Sequence, residues 1–286
     1  MHALRIVGFI LTAADAARLA QFYIAAFDAR AVSIDHQTGT IFEGRMGVSG
    51  GALRHTLALG RESLELVQFE TQGLHYPQGL SAEDTAFQHF AMVVPDMKVA
   101  LARLRTLPGW TPLSVDGPQH LPHRAGGVTA FKFRDPEGHP LELLEFPPHA
   151  IPPHWQTPPG GSIVLGIDHS ALSVSDTATS IAFYRRLGFE VSGRSLNHGE
   201  AQAKLDAMTD PHVEVTALSL EVAAPHLELL CYRSHRNPTR PLTADNDVAA
   251  TRVALAIHRS PHDTGGAPAR LTDPDGHRLL LIDGCC

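Results

Sequence analysis

The chain has 286 residues, with 23 Lys and Arg against 30 Asp and Glu, and a formal net charge of −7. This balance disfavours a nucleic-acid or anionic-membrane partner, because both are bound through basic surfaces. No apolar run approaches the ~20 residues that cross a bilayer, and the N-terminus has the character of a first strand, so we predict a cytoplasmic protein. Three cysteines are too few for a disulfide framework.

A proline cluster divides the chain. Residues 147–162 contain six prolines, which deny hydrogen bonds to helices and strands and favour an extended connector. We predict an N-terminal domain over 1–147, a linker over 148–163 and a C-terminal domain over 164–286. Trp155, within the linker, is expected to pack onto one of the domains.

Each half begins with a strand and a helix. Apolar runs at 4–11 and 165–174 have strand length and are followed by Asp15 and Asp176, which are expected to cap helices. Further strands follow, and then a second unit of the same kind. The last unit is the shortest, so we predict that it has lost its helix and part of its sheet.

One phrase occurs twice. Residues 134–144 read RDPEGHPLELL and residues 272–282 read TDPDGHRLLLI, with Glu142 replaced by Leu280. The repeat indicates a duplicated chain, and the replacement indicates that its halves differ chemically. A carboxylate within an apolar strand is costly to bury without a partner.

These features together carry a family resemblance. The early Asp168-His169 strand, the helical pairs Phe22-Tyr23 and Phe183-Tyr184, and the repeated DP-x-G turn resemble the vicinal oxygen chelate superfamily. That superfamily includes glyoxalase I, extradiol dioxygenases, fosfomycin-resistance proteins and bleomycin-binding proteins. The resemblance implies an α+β fold of four βαβββ-type modules paired into two domains, the fourth module truncated. It specifies the fold more closely than the reaction.

The resemblance also implies four metal-ligand positions in each domain. In the N-terminal domain they fall on Gly8, Glu65, His89 and Glu142. Glycine offers no donor, so the predicted site consists of Glu65, His89 and Glu142, with positions left for water or substrate. This donor set accepts Fe²⁺, Mn²⁺, Zn²⁺ or Ni²⁺. The alternative is ordinary strand alternation that turns each carboxylate to solvent.

In the C-terminal domain the same positions fall on His169, Glu228, Arg252 and Leu280. Arginine brings a fixed positive charge and leucine brings no donor, so no metal is expected there. We expect instead an ion pair between Arg252 and Glu228 beside His169. This second-domain pocket would be either a polar plug or an anion-recognising site.

Three residues are candidates for catalysis. Glu65 is the candidate base, because the family's dioxygenases do without that position and its glyoxalases use it. His123 precedes Phe131 by the spacing of a dioxygenase acid/base histidine, although a solvated loop is the alternative. Lys132 replaces the tyrosine of that signature and can hydrogen-bond an anionic oxygen without reproducing a phenol.

The sequence therefore predicts a metal-dependent enzyme that acts on a small substrate with vicinal oxygens. Isomerase or lyase chemistry is favoured over the alternative of extradiol ring cleavage. A second alternative is a metal-free small-molecule-binding protein of the bleomycin-resistance type. The expected partner is a small molecule, with no nucleic acid and no membrane, and a homodimer is left open.

Overall fold

The computed structural model describes residues 2–156, 161–222, 224–233, 243–258 and 270–284. The helices are α1 (Ala16–Phe27), α2 (Thr40–Met46), α3 (Met97–Leu104), α4 (Thr177–Arg185) and α5 (Glu200–Asp206). The strands are β1 (His2–Thr12), β2 (Arg30–Gln37), β3 (Ala52–Leu59), β4 (Glu62–Phe69), β5 (Gln88–Val93), β6 (Thr111–Pro112), β7 (Gln119–His120), β8 (Thr129–Arg134), β9 (Pro140–Glu145), β10 (Gly166–Ser173), β11 (Glu190–His198), β12 (His212–Ser219), β13 (His226–Tyr232), β14 (Arg252–His258), β15 (Arg270–Thr272) and β16 (Arg278–Asp283). None of these helices is long and apolar enough to cross a membrane.

The elements form four consecutive units, which begin with β1, β5, β10 and β14, and the predicted α+β fold of βαβββ-type modules is confirmed. The side chain of Asp15 accepts a hydrogen bond from the Arg18 amide and that of Asp176 from the Thr179 amide, so both predicted helix caps are present. The predicted loss of a helix from the fourth unit falls on residues 259–269, which lie outside the described residues.

Strand pairing joins units that are not consecutive in the chain. A seven-stranded sheet combines units one and four in the order β15-β16-β14-β1-β4-β3-β2. A nine-stranded sheet combines units two and three in the order β11-β12-β13-β10-β5-β9-β8-β6, with β7 on β8. The expectation that the units pair within 1–147 and within 164–286 is therefore corrected. Apolar alternation specifies which face of a strand is buried, and it leaves open which strand becomes the neighbour.

One apolar core is shared by all four units. Phe9 of β1 stacks on Phe90 of β5 with ring centroids 5.1 Å apart, so the two sheets contact each other through this core. Tyr23 and Tyr184, from α1 and α4, are fully buried in it. Described residues of both sheets thus contribute to this single core.

The repeated turn fastens consecutive units together. Asp135 accepts a hydrogen bond from the Tyr23 hydroxyl at 3.0 Å and lies 2.8 Å from Nδ1 of His139. Asp273, in the second copy of the turn, accepts one from the Tyr184 hydroxyl at 3.0 Å. The Phe-Tyr pairs and the DP-x-G turns are thus two parts of one contact, made between units one and two and again between units three and four.

Both ring nitrogens of His139 face acceptors. Nδ1 meets Asp135, and Nε2 lies 3.0 Å from the Thr12 carbonyl and 3.1 Å from the Val248 carbonyl. Burial alone would lower the pKa of His139, but the carboxylate of Asp135 outweighs it and raises that pKa above its ordinary value. The imidazolium can donate to both sides, which the neutral ring cannot do.

We predict that His139→Gln reduces stability more at pH 6 than at pH 9. The stabilisation from a raised histidine pKa is complete below the unfolded value of about 6.5 and is lost as pH rises through the folded value. Urea unfolding of wild type and variant at both pH values measures the difference, with His149→Gln in the exposed linker as control. A destabilisation independent of pH would contradict this assignment.

The pairing also predicts how the halves behave when separated. A fragment of residues 1–147 exposes the edges of β1 and β5, which pair with β14 and β10 in the whole chain. Unpaired apolar edges self-associate, so the fragment is expected to aggregate alone and to form a 1:1 complex when co-expressed with residues 164–286. Size-exclusion chromatography tests this, and a monomeric fragment that unfolds cooperatively would contradict the pairing.

Candidate metal centre

The two central strands of the nine-stranded sheet bring two histidines to one face. Strands β5 and β10 are antiparallel, with His89 opposite Ala171 and His169 opposite Ala91. Directly opposed residues in a sheet project to the same side, and residues two apart along a strand do so as well. Both imidazoles therefore project from the same face, with two alanine methyl groups between them.

The outer strands add one carboxylate each. Strand β9 runs parallel to β5 and places Glu142 beside Ala91, while β13 runs parallel to β10 and places Glu228 beside Ala171. Ala91 and Ala171 are fully buried, and their small side chains leave space between the four polar groups. Two imidazoles and two carboxylates thus surround one point on the sheet.

The distances are those of a compact cluster. Nε2 of His89 lies 2.8 Å from Oε2 of Glu142, and Nε2 of His169 lies 3.6 Å from Oε2 of Glu228. Candidate ligand atoms of His89, Glu142 and His169 all lie within 4.8 Å of one another. The two rings are 6.1 Å apart between centroids, so one ion could contact both.

The pKa values of the cluster residues favour the binding of a cation. Burial alone would raise the pKa of Glu228, but His169 outweighs it and lowers that pKa to about 2. Burial alone would lower the pKa of His169, but Glu228 and Asp168 raise it to about 9. Burial, and then the charge of Lys132, lower the pKa of His89. The carboxylates are therefore ionised, and a divalent ion would take the place of the imidazole protons, which suits this donor set.

The predicted three-ligand site is corrected in two ways: Glu65 is absent from it, and His169 and Glu228, which were predicted to form a separate pocket without a metal, lie beside His89 and Glu142. His89 and Glu142 lie together, but Glu65 belongs to the seven-stranded sheet, because β4 pairs with β1 and not with β5. Its carboxylate lies 3.4 Å from Nη1 of Arg54, which also contacts Asp35 at 3.1 Å. Glu65 is thus a member of a half-buried ion-pair network and not a ligand or base at the candidate centre.

The seven-stranded sheet places a second set of residues at the corresponding positions. Ala254 lies between Gly8 and Leu280, and Ile10 lies between Arg252 and Glu65. A Cβ at residue 8 would collide with the Ser63 carbonyl, so close approach of β1 and β4 requires glycine there. The four positions that match the candidate centre are thus Gly8, Glu65, Arg252 and Leu280, which include a single carboxylate and no imidazole.

Arg252 does not form the predicted ion pair with Glu228, because the two residues lie in different sheets. Its guanidinium is buried and donates to the Thr12 hydroxyl at 3.2 Å, the Ala250 carbonyl at 2.8 Å and the Met46 carbonyl at 3.1 Å. Burial lowers its pKa to about 9. The surrounding cup is filled by apolar side chains: Ile10, Met46, Ala52, Val67, Phe69, Ala254 and Leu280.

A cavity of about 320 Å³ lies over the four-residue cluster. His89, Glu142, His169 and Glu228 all line it, and apolar walls surround them. The wall residues include Leu121, Val128, Leu144, Leu205, Val215 and Leu230. The volume suits a small molecule, with the polar groups gathered at one place.

Lys132 lies in this cavity as well. Its ammonium is buried and lies 2.7 Å from Oδ1 of Asp206, whose other oxygen accepts from Gln202 at 2.6 Å and from Tyr232 at 2.9 Å. Burial alone would lower the pKa of Lys132, but Asp206 and Glu142 raise it above its ordinary value. Lys132 therefore contributes a permanent positive charge.

The other predicted catalytic residue is not brought to the cluster. His123 is exposed in a 3₁₀ turn, His123–Ala125, and is not among the residues that line the cavity. The same turn does contribute Arg124 and Ala125 to the cavity wall. The loop thus lines the cavity through Arg124 and Ala125, and His123 does not contribute to the lining.

Three polar residues of the site escaped the sequence analysis. Asp168 lies 3.0 Å from Nδ1 of His169, and His226 lies 3.7 Å from Glu228. Asp168 could have been found, since it directly precedes His169 in the resembling motif. Asp206 has no such signal, because α5 meets Lys132 only through tertiary contact.

Comparisons with known proteins bear on the family and on the fold. The model of a family described as the Glyoxalase/Bleomycin resistance protein/Dioxygenase superfamily matches residues 166–281. Residues 166–281 belong to this superfamily. The matched segment contains His169 and Glu228 of the cluster, as well as Arg252 and Leu280 of the filled cup.

Solved structures extend the likeness from this superfamily domain to the whole chain. Glyoxalase I from Zea mays is 18% identical, with a TM-score of 0.58 over 98% of this chain and 92% of that chain. A putative dioxygenase from Bacillus subtilis is 12% identical, with a TM-score of 0.52 over 98% and 84%. At these identities the likeness shows the fold. The comparison with curated proteins gave no match.

We predict that Lys132→Met destabilises the protein by about 3 kcal/mol or more, because it leaves the buried Asp206 carboxylate without its cation. Urea unfolding measures the loss. Lys204→Met, on α5, is the control, since the ion pairs of Lys204 with Asp116 and Glu200 are largely exposed and are expected to contribute little to stability. Equal losses for the two variants would contradict the buried pair.

Proposed function

We propose that this chain is a divalent-metal-dependent enzyme that transfers a proton within a small substrate carrying two neighbouring oxygens, as an isomerase or lyase does. The supporting observation is that candidate ligand atoms of His89, Glu142 and His169 lie within 4.8 Å of one another, with Glu228 beside His169 in the same cavity. Without an ion, the two buried carboxylates depend on protonated His169 and on Lys132 for charge balance, and a divalent ion would replace the extra proton of His169.

These four side chains would hold the ion, and the chemistry of the donors suits Fe²⁺, Mn²⁺, Zn²⁺ or Ni²⁺. When bound, a divalent ion polarises substrate oxygens and stabilises the negative charge that develops when a neighbouring C–H bond is broken. The four donors lie on one face of the sheet, so the opposite side of the site is left to the cavity and to substrate.

Glu228 is the candidate general base. Its side chain is 24% exposed, against 7% for Glu142. Its oxygens lie 3.6 and 3.7 Å from the nearest imidazole nitrogens, whereas Glu142 is held at 2.8 Å by His89. The looser carboxylate can turn toward a substrate C–H. Glu228 also occupies the position in unit three that Glu65 occupies in unit one, which the family resemblance assigned to the base.

Lys132 is the candidate stabiliser of negative charge. It stays protonated beside Asp206, and it lies opposite Glu142 across β8 and β9. The ammonium is buried, and a buried fixed charge favours an anionic substrate oxygen more strongly than the same charge in solvent.

The ligand set predicts which substitutions remove the ion. His89→Ala, Glu142→Gln, His169→Ala and Glu228→Gln are each expected to abolish stoichiometric binding or weaken it at least tenfold. Glu65→Gln, at the matching position of the other sheet, is expected to bind as wild type. Elemental analysis and titration with Mn²⁺, Fe²⁺, Ni²⁺ and Zn²⁺ measure this. Loss of the ion in Glu65→Gln with retention in His169→Ala would overturn the site.

The reaction class has its own test. The metal-loaded protein in D₂O is expected to exchange solvent deuterium into α-hydroxy ketone probes next to the carbonyl, followed by proton NMR. Glu228→Gln should lose this exchange. Oxygen uptake with catechols would support ring cleavage instead. A wild-type protein that binds probe compounds but no ion would support the metal-free binding alternative.

A further inference from the structure

The linker between the halves contacts the candidate centre through its tryptophan. Pro153–Trp155 forms a 3₁₀ turn, and Trp155 is only 7% exposed. Its ring lies against the start of β10, where a Cβ on Gly166 would come within 2.8 Å of Cζ3 of the indole. The indole Nε1 donates a hydrogen bond to Oδ1 of Asp168 at 2.9 Å.

Asp168 also contacts a candidate ligand. Its second oxygen, Oδ2, lies 3.0 Å from Nδ1 of His169, while Nε2 of the same ring faces Glu228. A proton kept on Nδ1 by a carboxylate leaves the Nε2 lone pair for an ion, and it fixes the plane of the ring. One carboxylate thus holds both the linker indole and the imidazole.

The other imidazole of the cluster has no such support. Nδ1 of His89 is buried and has no hydrogen-bond partner among the described residues. Its orientation depends on the Nε2 contact with Glu142 and on packing against Phe87. Control of ring orientation from outside the cluster therefore lies on the His169 side.

We propose that Trp155 is a positioning residue of the metal centre: its indole N–H fixes the Asp168 carboxylate, which fixes the Nδ1–H form and orientation of His169. This inference rests on the proposed function for its effect on metal binding. Trp155 itself touches neither substrate nor ion. The linker would then also position a ligand, because Trp155, packed beside β10, determines how His169 is oriented.

The test compares Trp155→Phe with Trp110→Phe. Phenylalanine keeps an aromatic ring in the linker but removes the donor to Asp168. Trp110 packs by its edge against Phe131 and Phe133 and serves as the matched control. Trp155→Phe is expected to weaken Zn²⁺ binding about tenfold, and Asp168→Asn ten- to a hundredfold, as for other groups that support ligands. Trp110→Phe is expected to bind Zn²⁺ as wild type.

A second readout does not need the ion. Nitrogen-15 NMR of the histidine rings in metal-free protein reports the hydrogen bond between the His169 Nδ1–H and Asp168, and thermal unfolding checks that each variant is folded. Trp155→Phe should change the His169 signals, and Trp110→Phe should not. Unchanged signals and Zn²⁺ affinity in folded Trp155→Phe would overturn the proposal. If wild type binds none of Zn²⁺, Mn²⁺, Fe²⁺ and Ni²⁺, the proposed function fails, and the NMR comparison still decides the role of Trp155.

Discussion

The antiparallel pairing of β5 with β10 is the contact on which the candidate site depends. It joins units two and three across the linker and sets His89 and His169 on one face, each opposite an alanine. The parallel neighbours β9 and β13 then deliver Glu142 and Glu228 without any special loop. A one-residue slip of either strand would turn its histidine to the apolar core, so burial of the core on one face fixes the ligands on the other.

The seven-stranded sheet has the same strand arrangement but lacks the set of candidate ligands. Strands β1 and β14 pair in the same way, but Arg252 replaces an imidazole and Ile10 fills the space that Ala171 leaves open. The guanidinium satisfies carbonyls such as Met46 from inside the cup. A covalently attached cation thus lies at a position where the other sheet offers a ligand, and apolar packing closes the cavity. Structural and chemical roles are divided between the two sheets.

Most of the fold, and the strand on which each site residue lies, could be predicted from the sequence. Which strands pair with each other in the sheets could not. The caps Asp15 and Asp176 and the DP-x-G turns depend on local residues, and the structure contains them where they were expected. Pairing depends on contacts between residues far apart in the chain, such as Ala171 with His89. Periodicity carries no information about such contacts. The donor types carried some, since pairing units two and three brings four of the five capable ligands into one cup and leaves Glu65 in the other sheet.

Two kinds of contact therefore hold this duplicated chain together, and they connect different units. Hydrogen-bonded strands join unit one to four and unit two to three, while the Tyr23–Asp135 and Tyr184–Asp273 contacts join unit one to two and unit three to four. The four units form a closed ring of contacts, so no half retains all its partners alone. In that ring the linker connects the two units that share the candidate site, and this explains why a residue such as Trp155 can reach Asp168 beside a ligand. The duplication places the candidate metal ligands at the junction of the halves, and neither half contains the complete set of donors.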